Sequence, residues 1–138
     1  MNEIRKRLRA ALGLGPLWAA AGAIVGALID RPSPENRVLV AEDGERRPLG
    51  FVHVHAAVDF FTAEQHGHIS DLVVAEEGER RGVGWALLTA AENWARKRGY
   101  RLLTLNVFTG NERARMLYER AGFPPATIKL VEQVDPVR

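Results

Sequence analysis

The sequence predicts one α/β domain in which helices flank a mixed β-sheet, with the element order ααβββαβαβ. Three observations predict this class. Short β-like stretches fill the middle of the chain, strands and amphipathic helices alternate after them, and 138 residues suit a single domain. We expect that domain to span residues 1–138, with an apolar helical segment at 1–31 and the sheet within 37–134.

The first two predicted helices come before any strand. Residues 3–12 place apolar side chains on one face and arginines on the other, and Pro16 suits the first position of a second helix that ends near Ile29. Residues 10–29 form a run of twenty without a charge, which is long enough to cross a bilayer. The second helix therefore needs burial, a partner or lipid.

The strands are predicted from β-branched and apolar runs that lie between turn-forming residues. They cover residues 38–41, 49–58, 68–75, 102–108 and 127–134. Two further helices are predicted from apolar spacing, one over residues 82–98, where Gly99 supplies the stop, and one over residues 111–121, where Asn111 is the N-cap. The first two strands are expected to form a hairpin.

Composition excludes several classes of site. The formal net charge is only +2, from 19 basic and 17 acidic residues, so we expect no nucleic-acid partner. The absence of cysteine excludes disulfides, thiolate zinc sites and a cysteine nucleophile. The histidines at 53, 55 and 66 do not share metal-ligand spacing with a carboxylate on one element, so we expect no metal.

A glycine-rich turn between the third strand and the next helix is the first candidate site. Gly82 and Gly84 allow a close backbone approach, and the first amides of a helix have no partner within the helix. With the helix dipole and the charges of Arg80 and Arg81, this turn suits an anion such as phosphate. The turn alone is a weak signal, and it matches neither a Walker A loop nor a dinucleotide fingerprint.

Two motifs at fixed spacing make the signal specific. The turn reads Glu79-Arg-Arg-Gly82-Val-Gly84, and after the next strand comes Asn111-Glu-Arg-Ala114-Arg-Met-Leu-Tyr118-Glu-Arg-Ala-Gly122-Phe123. Over about residues 38–134 the chain resembles the GNAT superfamily of acetyl-CoA-dependent N-acetyltransferases. Residues 37–134 would then be the acetyl-CoA-binding core.

The resemblance implies a role for each matching residue. The backbone of Leu72, Val73 and Val74 would bind the pantetheine arm, and Asn111 would contact the pantetheine or its thiol end. Tyr118 would be the general acid that protonates the leaving thiolate; the structural alternative is an aromatic residue of the core. The pyrophosphate would be held by the amides of Arg80, Arg81, Gly82, Val83, Gly84 and Trp85.

The general base is less defined by the motifs. Peptide N-terminal acetyltransferases of this superfamily often have Glu where this chain has Asn106, which cannot accept a proton. Other members have Glu or His fourteen residues before the first motif glycine, where this chain has His68. The alternative for His68 is an exposed histidine at a loop edge. Ser70 could carry a proton relay, and Asp71 should face the other way unless the strand bulges.

Two positions depart from the pattern. Glu79 stands where the superfamily has Arg or Gln, which places an anion near the expected pyrophosphate. We expect the backbone amides, Arg80 and Arg81 to compensate. Trp85 replaces a small or basic residue, and helical spacing predicts that its side chain is exposed.

The sequence thus predicts a cytoplasmic N-acetyltransferase that moves the acetyl group of acetyl-CoA to a primary amine of a small molecule or peptide. A homodimer covering an open sheet edge is expected. Two alternatives stay open. One is a non-catalytic acyl-CoA-binding module of the same fold, and the other is a membrane-anchored acetyltransferase with residues 10–29 in the bilayer.

Overall fold

The computed structural model of this chain describes residues 33–45, 47–79 and 81–135. The predicted helical segment 1–31 and the side chain of Arg80 lie outside these ranges. The elements are β1 (Asn36–Glu42), β2 (Pro48–Val58), β3 (Gln65–Val74), α1 (Val83–Lys97), β4 (Leu103–Leu105) and α2 (Glu112–Arg120). One 3-10 turn, Glu76–Gly78, leads from β3 toward α1.

The strands form one mixed sheet in the order β1-β2-β3-β4. The first three strands are antiparallel, and β4 pairs in parallel with β3 after the crossover through α1. This arrangement confirms the predicted fold class, a mixed sheet with helices beside it. It also confirms the predicted hairpin of the first two strands.

Aspartates shape the two hairpin turns. In the first turn, Asp43 Oδ1 accepts hydrogen bonds from the backbone N–H of Glu45 and Arg47 at 2.8 and 2.9 Å. In the second, Asp59 Oδ1 accepts from the N–H groups of Phe61 and Thr62 at 2.8 and 2.9 Å. Such side-chain acceptors satisfy N–H groups of the turn backbone that have no partner in the sheet.

The core lies between α1 and one face of the sheet. Alternation along β2 points Val52 and Val54 toward α1, and pairing across the strands adds Ile69 to the same face. Leu87 and Leu88 of α1 are buried against them at 3% and 1% exposure. This apolar contact fixes the position of α1 on the sheet.

The opposite face of the sheet carries a row of histidines beside the buried Phe51, and we call it the histidine face. It carries His53 and His55 of β2 and His66 and His68 of β3, which alternate with the core residues. His53 and His66 are buried despite their polarity. Within the described residues, all four histidines of the chain therefore lie on one side of the sheet.

A β-bulge interrupts the pairing of β2 with β3. His53 pairs with Asp71 and Val54 pairs with Ile69, so Ser70 is the extra residue of β3. Because successive side chains of a strand point to opposite faces, this insertion places Asp71 on the histidine face. The sequence predicts that Asp71 faces away from His68 unless the strand bulges. The strand does bulge, so Asp71 lies on the same face as His68.

Glycines follow both helices, which confirms the predicted stop at Gly99. Gly99 follows α1 at φ +79° and Gly122 follows α2 at φ +97°. After α2 the N–H of Phe123 donates to the carbonyl oxygen of Tyr118 at 3.0 Å, which is the Schellman arrangement. The predicted helices 82–98 and 111–121 are therefore confirmed to within a residue of their bounds.

Two strand predictions are wrong in extent or existence. Residues 127–134 form no strand, and Ile128 and Leu130 are 85% and 89% exposed. The strand predicted over 102–108 covers only Leu103–Leu105. Both errors have one reason: a strand needs a hydrogen-bonding partner, and β4 pairs with only three residues of β3. The described residues thus hold four strands and not five.

Candidate active site

The two halves of β3 have different neighbours. β2 pairs along both halves, whereas β4 pairs only with Gly67–Ile69. Among the described residues, positions 71–74 therefore have a strand on one edge and none on the other. Backbone N–H and C=O groups on such an edge can hydrogen-bond an extended ligand. Leu72, Val73 and Val74, selected from the sequence for backbone contacts, lie on this stretch.

The N-terminus of α1 lies just beyond that edge. Gly82 is its N-cap at φ +75°, and no side chain caps it by a hydrogen bond. The first backbone bond of the helix runs from Ala86 to Gly82, so the N–H groups of Val83, Gly84 and Trp85 have no partner within the helix. The first turn also contains no acidic residue. These donors and the helix dipole favour a bound anion.

The charged side chains around this helix end are exposed. Arg81 reaches back to the carbonyl oxygen of Glu77 at 3.5 Å. Glu79, the acidic departure from the motif, lies 3.8 Å from the guanidinium of Arg113 at the start of α2. That pair is a surface ion pair, which contributes little to stability but balances the negative charge beside the amides. Trp85 is half exposed, in agreement with its predicted position.

Gly84 brings the two helices into contact. A Cβ atom at Gly84 would lie 3.0 Å from Cδ2 of Leu117, so the glycine leaves room for the side chain of Leu117 to pack on the first turn of α1. Tyr118 follows Leu117 directly on α2. The glycine selected for ligand approach thus also brings the tyrosine-bearing helix against the amide-bearing one.

Two features of α2 orient Tyr118. Its ring packs edge to face on Phe123 at a centroid distance of 6.3 Å, which is the apolar contact that accompanies the Schellman end. Tyr118 also packs against the core while remaining partly exposed. Burial raises the pKa of its hydroxyl above the usual 10.0, so the group keeps its proton at neutral pH. It can therefore act as a proton donor.

Asn111 begins α2. Its Oδ1 accepts a hydrogen bond from the N–H of Ala114 at 3.2 Å, which confirms the predicted N-cap. The cap uses one of the two lone pairs of this oxygen, and the amide nitrogen keeps its donors for another partner. No hydrogen bond joins the described side chains of Tyr118 and His68, which lie on different elements.

His68 lies on the histidine face at the point where β4 pairs with β3. Its Nδ1 is 2.7 Å from Oγ1 of Thr104, the residue that pairs with it across the two strands. Its ring centroid lies 5.4 Å from that of His55. Burial is the main cause that lowers the pKa of His68 below 6.5, and the neighbouring histidines lower it further. His68 is thus neutral at pH 7.

His53 and Asp71 form a second polar group beside His55. Nε2 of His53 is 2.7 Å from Oδ1 of Asn36, and Nδ1 is 3.4 Å from Oδ2 of Asp71. Burial lowers the pKa of His53, while the hydrogen bond to Asp71 opposes that shift. Sequence reasoning did not select these residues. The alternation of His53 and His55 with valines could have indicated that the two histidines share one face of the sheet. Nothing in the local sequence indicates the bulge at Ser70 that brings Asp71 to that face.

The described residues contain neither a metal-ligand cluster nor a membrane-spanning helix. No three His, Asp or Glu side chains among them come together in a way that could hold a metal ion. No helix in the same ranges combines the length and apolar character needed to cross a membrane. The apolar run at 10–29 lies outside those ranges.

Comparison with known proteins relates the chain to one family by sequence. A family model described as the acetyltransferase (GNAT) family matches residues 8–123. No curated protein matches the chain.

Solved structures resemble the chain over nearly its whole length. A ribosomal-protein-alanine N-acetyltransferase from Brucella melitensis biovar Abortus 2308 shares 23% identity and a TM-score of 0.68, covering 92% of this chain and 94% of its own. An aminoglycoside antibiotic 6'-N-acetyltransferase from Acinetobacter haemolyticus shares 15% identity and a TM-score of 0.71, and the match covers 98% of this chain and 97% of its own. A transcriptional regulator from Bacillus halodurans C-125 shares 19% identity and a TM-score of 0.76, and the match covers 97% of this chain and 96% of its own. At these identities the likeness shows a common fold.

Proposed function

Because the chain belongs to the acetyltransferase (GNAT) family, we propose that it transfers an acetyl group from acetyl-CoA to a primary amine. One observation carries the proposal. Among the described residues, the edge of residues 71–74 of β3 has no partner strand, and it leads through one turn to a helix N-terminus that no described side chain caps. An extended ligand that ends in phosphates fits this arrangement, because its chain can bond to the strand edge and its phosphates to the N–H groups of the helix.

The donor would be held mostly by backbone. Leu72, Val73 and Val74 would bind the pantetheine arm as an added strand, and the amide of Asn111's side chain would contact its thiol end. The pyrophosphate would bind the amides from Arg80 to Trp85, with Arg80 and Arg81 supplying positive charge. Acetyl-CoA, as the acyl donor, supplies an activated thioester, and no metal is required for this chemistry.

Tyr118 and His68 would move the protons. The amine nitrogen forms a bond to the acetyl carbon, and the carbon–sulfur bond breaks. His68 accepts the proton that the amine loses, and the hydroxyl of Tyr118 donates a proton to the departing thiolate. Both groups begin in the protonation state that these roles need, because at pH 7 Tyr118 holds its proton and His68, whose pKa is lowered by burial, is neutral.

The acceptor is proposed to be a small primary amine, with an exposed peptide amine as the alternative. A cytoplasmic location would supply the acetyl donor. Residues 1–138 are proposed to act as one domain and to form a homodimer, because β4 pairs on one edge only within the described residues. A monomer mass by light scattering at high protein concentration would contradict the dimer.

A panel of amines tests the proposed function, with release of free thiol from acetyl-CoA as the readout. Tyr118→Phe should lower turnover about 100-fold while acetyl-CoA binding by calorimetry is kept. Tyr100→Phe is the matched control, because Tyr100 is the only other tyrosine and its buried hydroxyl has no partner among the described residues. Binding without turnover on any amine would favour the non-catalytic acyl-CoA-binding module. Undetectable binding would contradict both.

A further inference from the structure

One hydrogen-bond chain on the histidine face links the two parallel strands. Nδ1 of His68 lies 2.7 Å from Oγ1 of Thr104, and the same oxygen lies 3.5 Å from the carbonyl oxygen of Gly67. His68 and Thr104 are paired across β3 and β4, so the strand register holds the imidazole and the hydroxyl together. Both contacts are partly buried, which limits competition by water.

The hydroxyl of Thr104 has one hydrogen to donate and can accept as well. A carbonyl oxygen can only accept, so the hydroxyl donates where its hydrogen turns toward Gly67, at an oxygen–oxygen distance of 3.5 Å. In that arrangement Thr104 is an acceptor toward His68, and Nδ1 of His68 carries the proton. The lone pair of the ring lies on Nε2 in this tautomer, because the hydrogen bond of one ring nitrogen determines the protonation of the other.

The same direction is required when His68 becomes charged. An imidazolium ring has protons on both nitrogens, so its Nδ1 can only donate. With its own hydrogen turned toward Gly67, Thr104 accepts that bond without any rearrangement. The chain from His68 through Thr104 to Gly67 thus suits both the neutral ring and the ring that has taken up a proton.

The neighbouring histidines differ in what they leave available. Nδ1 of His55 lies 2.8 Å from the carbonyl oxygen of Ala56, so its tautomer is set by backbone. Both ring nitrogens of His53 face oxygen atoms, on Asn36 and Asp71. His68 differs from both, because one of its ring nitrogens faces a single hydroxyl, that of Thr104, which can be removed by substitution.

We propose that Thr104 is a positioning residue that holds His68 in the Nδ1–H tautomer and leaves Nε2 free to take the proton of the acceptor amine. The tautomer is a property of the folded chain. Its catalytic consequence rests on the proposed acetyl transfer, and the two parts are therefore measured separately.

Nitrogen-15 NMR of the imidazole side chains in the full chain tests the first part. Thr104→Val keeps the shape and the β-branch of the residue but removes the hydroxyl, and Thr104→Ser keeps the hydroxyl. We expect the Nδ1–H form of His68 in the wild type and in Thr104→Ser, and a shift toward the Nε2–H form in Thr104→Val. His55 should not change in any variant. An unchanged His68 in Thr104→Val, or the same shift in both variants, would overturn the proposal.

Acetyl transfer tests the second part. Thr104→Val should lower kcat/KM for the amine about 10-fold, as loss of an orienting partner does elsewhere, with acetyl-CoA binding unchanged and activity rescued in Thr104→Ser. Full activity in a Thr104→Val protein whose tautomer has shifted would overturn the positioning role. If the wild type acetylates no amine, the proposed function fails, while the NMR result still decides whether Thr104 sets the tautomer.

Discussion

Gly122 determines how α2 ends and where Tyr118 packs. Its φ of +97° lies in a region that residues with a Cβ rarely adopt, although nothing lies within 4 Å of the position a Cβ would take. The conformation, and not a lack of space, therefore requires glycine there. The Schellman bonds that follow bring Phe123 onto the ring of Tyr118.

We predict that Gly122→Ala lowers the free energy of unfolding by about 1–2 kcal/mol. The reason is the left-handed backbone conformation, which alanine adopts only with strain. Urea unfolding followed by circular dichroism measures the change. Gly110→Ala is the control, since Gly110 has a negative φ and open space around its Cβ position. Equal stability of both variants would contradict the conformational argument.

His53 makes stability depend on pH. It is only 5% exposed, and burial lowers its pKa in the folded chain below the usual 6.5. Between the folded pKa and about 6.5, the unfolded chain binds the proton more readily, so stability falls as the pH falls through that window. Below the folded pKa the loss is complete.

We therefore expect the melting temperature to fall between pH 7 and pH 5, and to fall less in His53→Gln. Thermal unfolding of both proteins across that range measures the difference. His53→Gln keeps a polar side chain near Asn36 and Asp71 but has no group that titrates there. A parallel fall in both proteins would show that His53 does not cause the pH dependence.

At the scale of elements, replacing a leucine by alanine should have a large effect on stability in α1 and a small one in the exposed segment after α2. Leu87 of α1 is 3% exposed, and Leu130 in the segment after α2 is 89% exposed. Leu87→Ala should cost about 2–5 kcal/mol of unfolding free energy, because it leaves a cavity between helix and sheet. Leu130→Ala should change it by less than about 0.5 kcal/mol.

Denaturant unfolding at low and high protein concentration measures both variants. The low concentration isolates the contribution of the single chain. A large cost for Leu130→Ala that appears only at high concentration would indicate that residues 127–134 are covered by a second copy. A large cost at both concentrations would contradict their exposure in the single chain.

Sequence reasoning predicted the elements that carry local signals. Asn111 marks the start of α2 and Gly122 its end, and each acts through bonds to residues close in the chain. The parallel strand β4 was overestimated, because its length depends on how far β3 stays beside it. The last predicted strand has a β-like pattern at 127–134 but no partner, and pairing is not encoded in the pattern itself.

The candidate site divides in the same way. Tyr118 and the turn from Gly82 to Gly84 could be selected because motifs mark them. The contact of His68 with Thr104 could not, since it depends on the register of two strands that are distant in sequence. The face on which Asp71 lies depends on whether β3 bulges, and the sequence could not predict the bulge, because the inserted residue needs no distinctive side chain.

At the scale of the whole molecule, two contacts hold the parts of the site together. The helix α1 covers one face of the sheet, and Gly84 lets Leu117 of α2 pack on its first turn. The sheet contributes His68 from its other face. The proton donor and the proton acceptor proposed here thus belong to opposite sides of β3, and the edge of that strand lies between them.

The extra residue in β3 has a consequence for how this protein can vary. A bulge bends a strand, and β4 stays paired with β3 only up to Ile69, the residue before Ser70. The end of the β3–β4 pairing thus coincides with an inserted residue and not with a particular side chain. Deletion of Ser70 would restore a regular ladder between β2 and β3 with His53 still opposite Asp71, whereas substitutions along β3 leave that register unchanged.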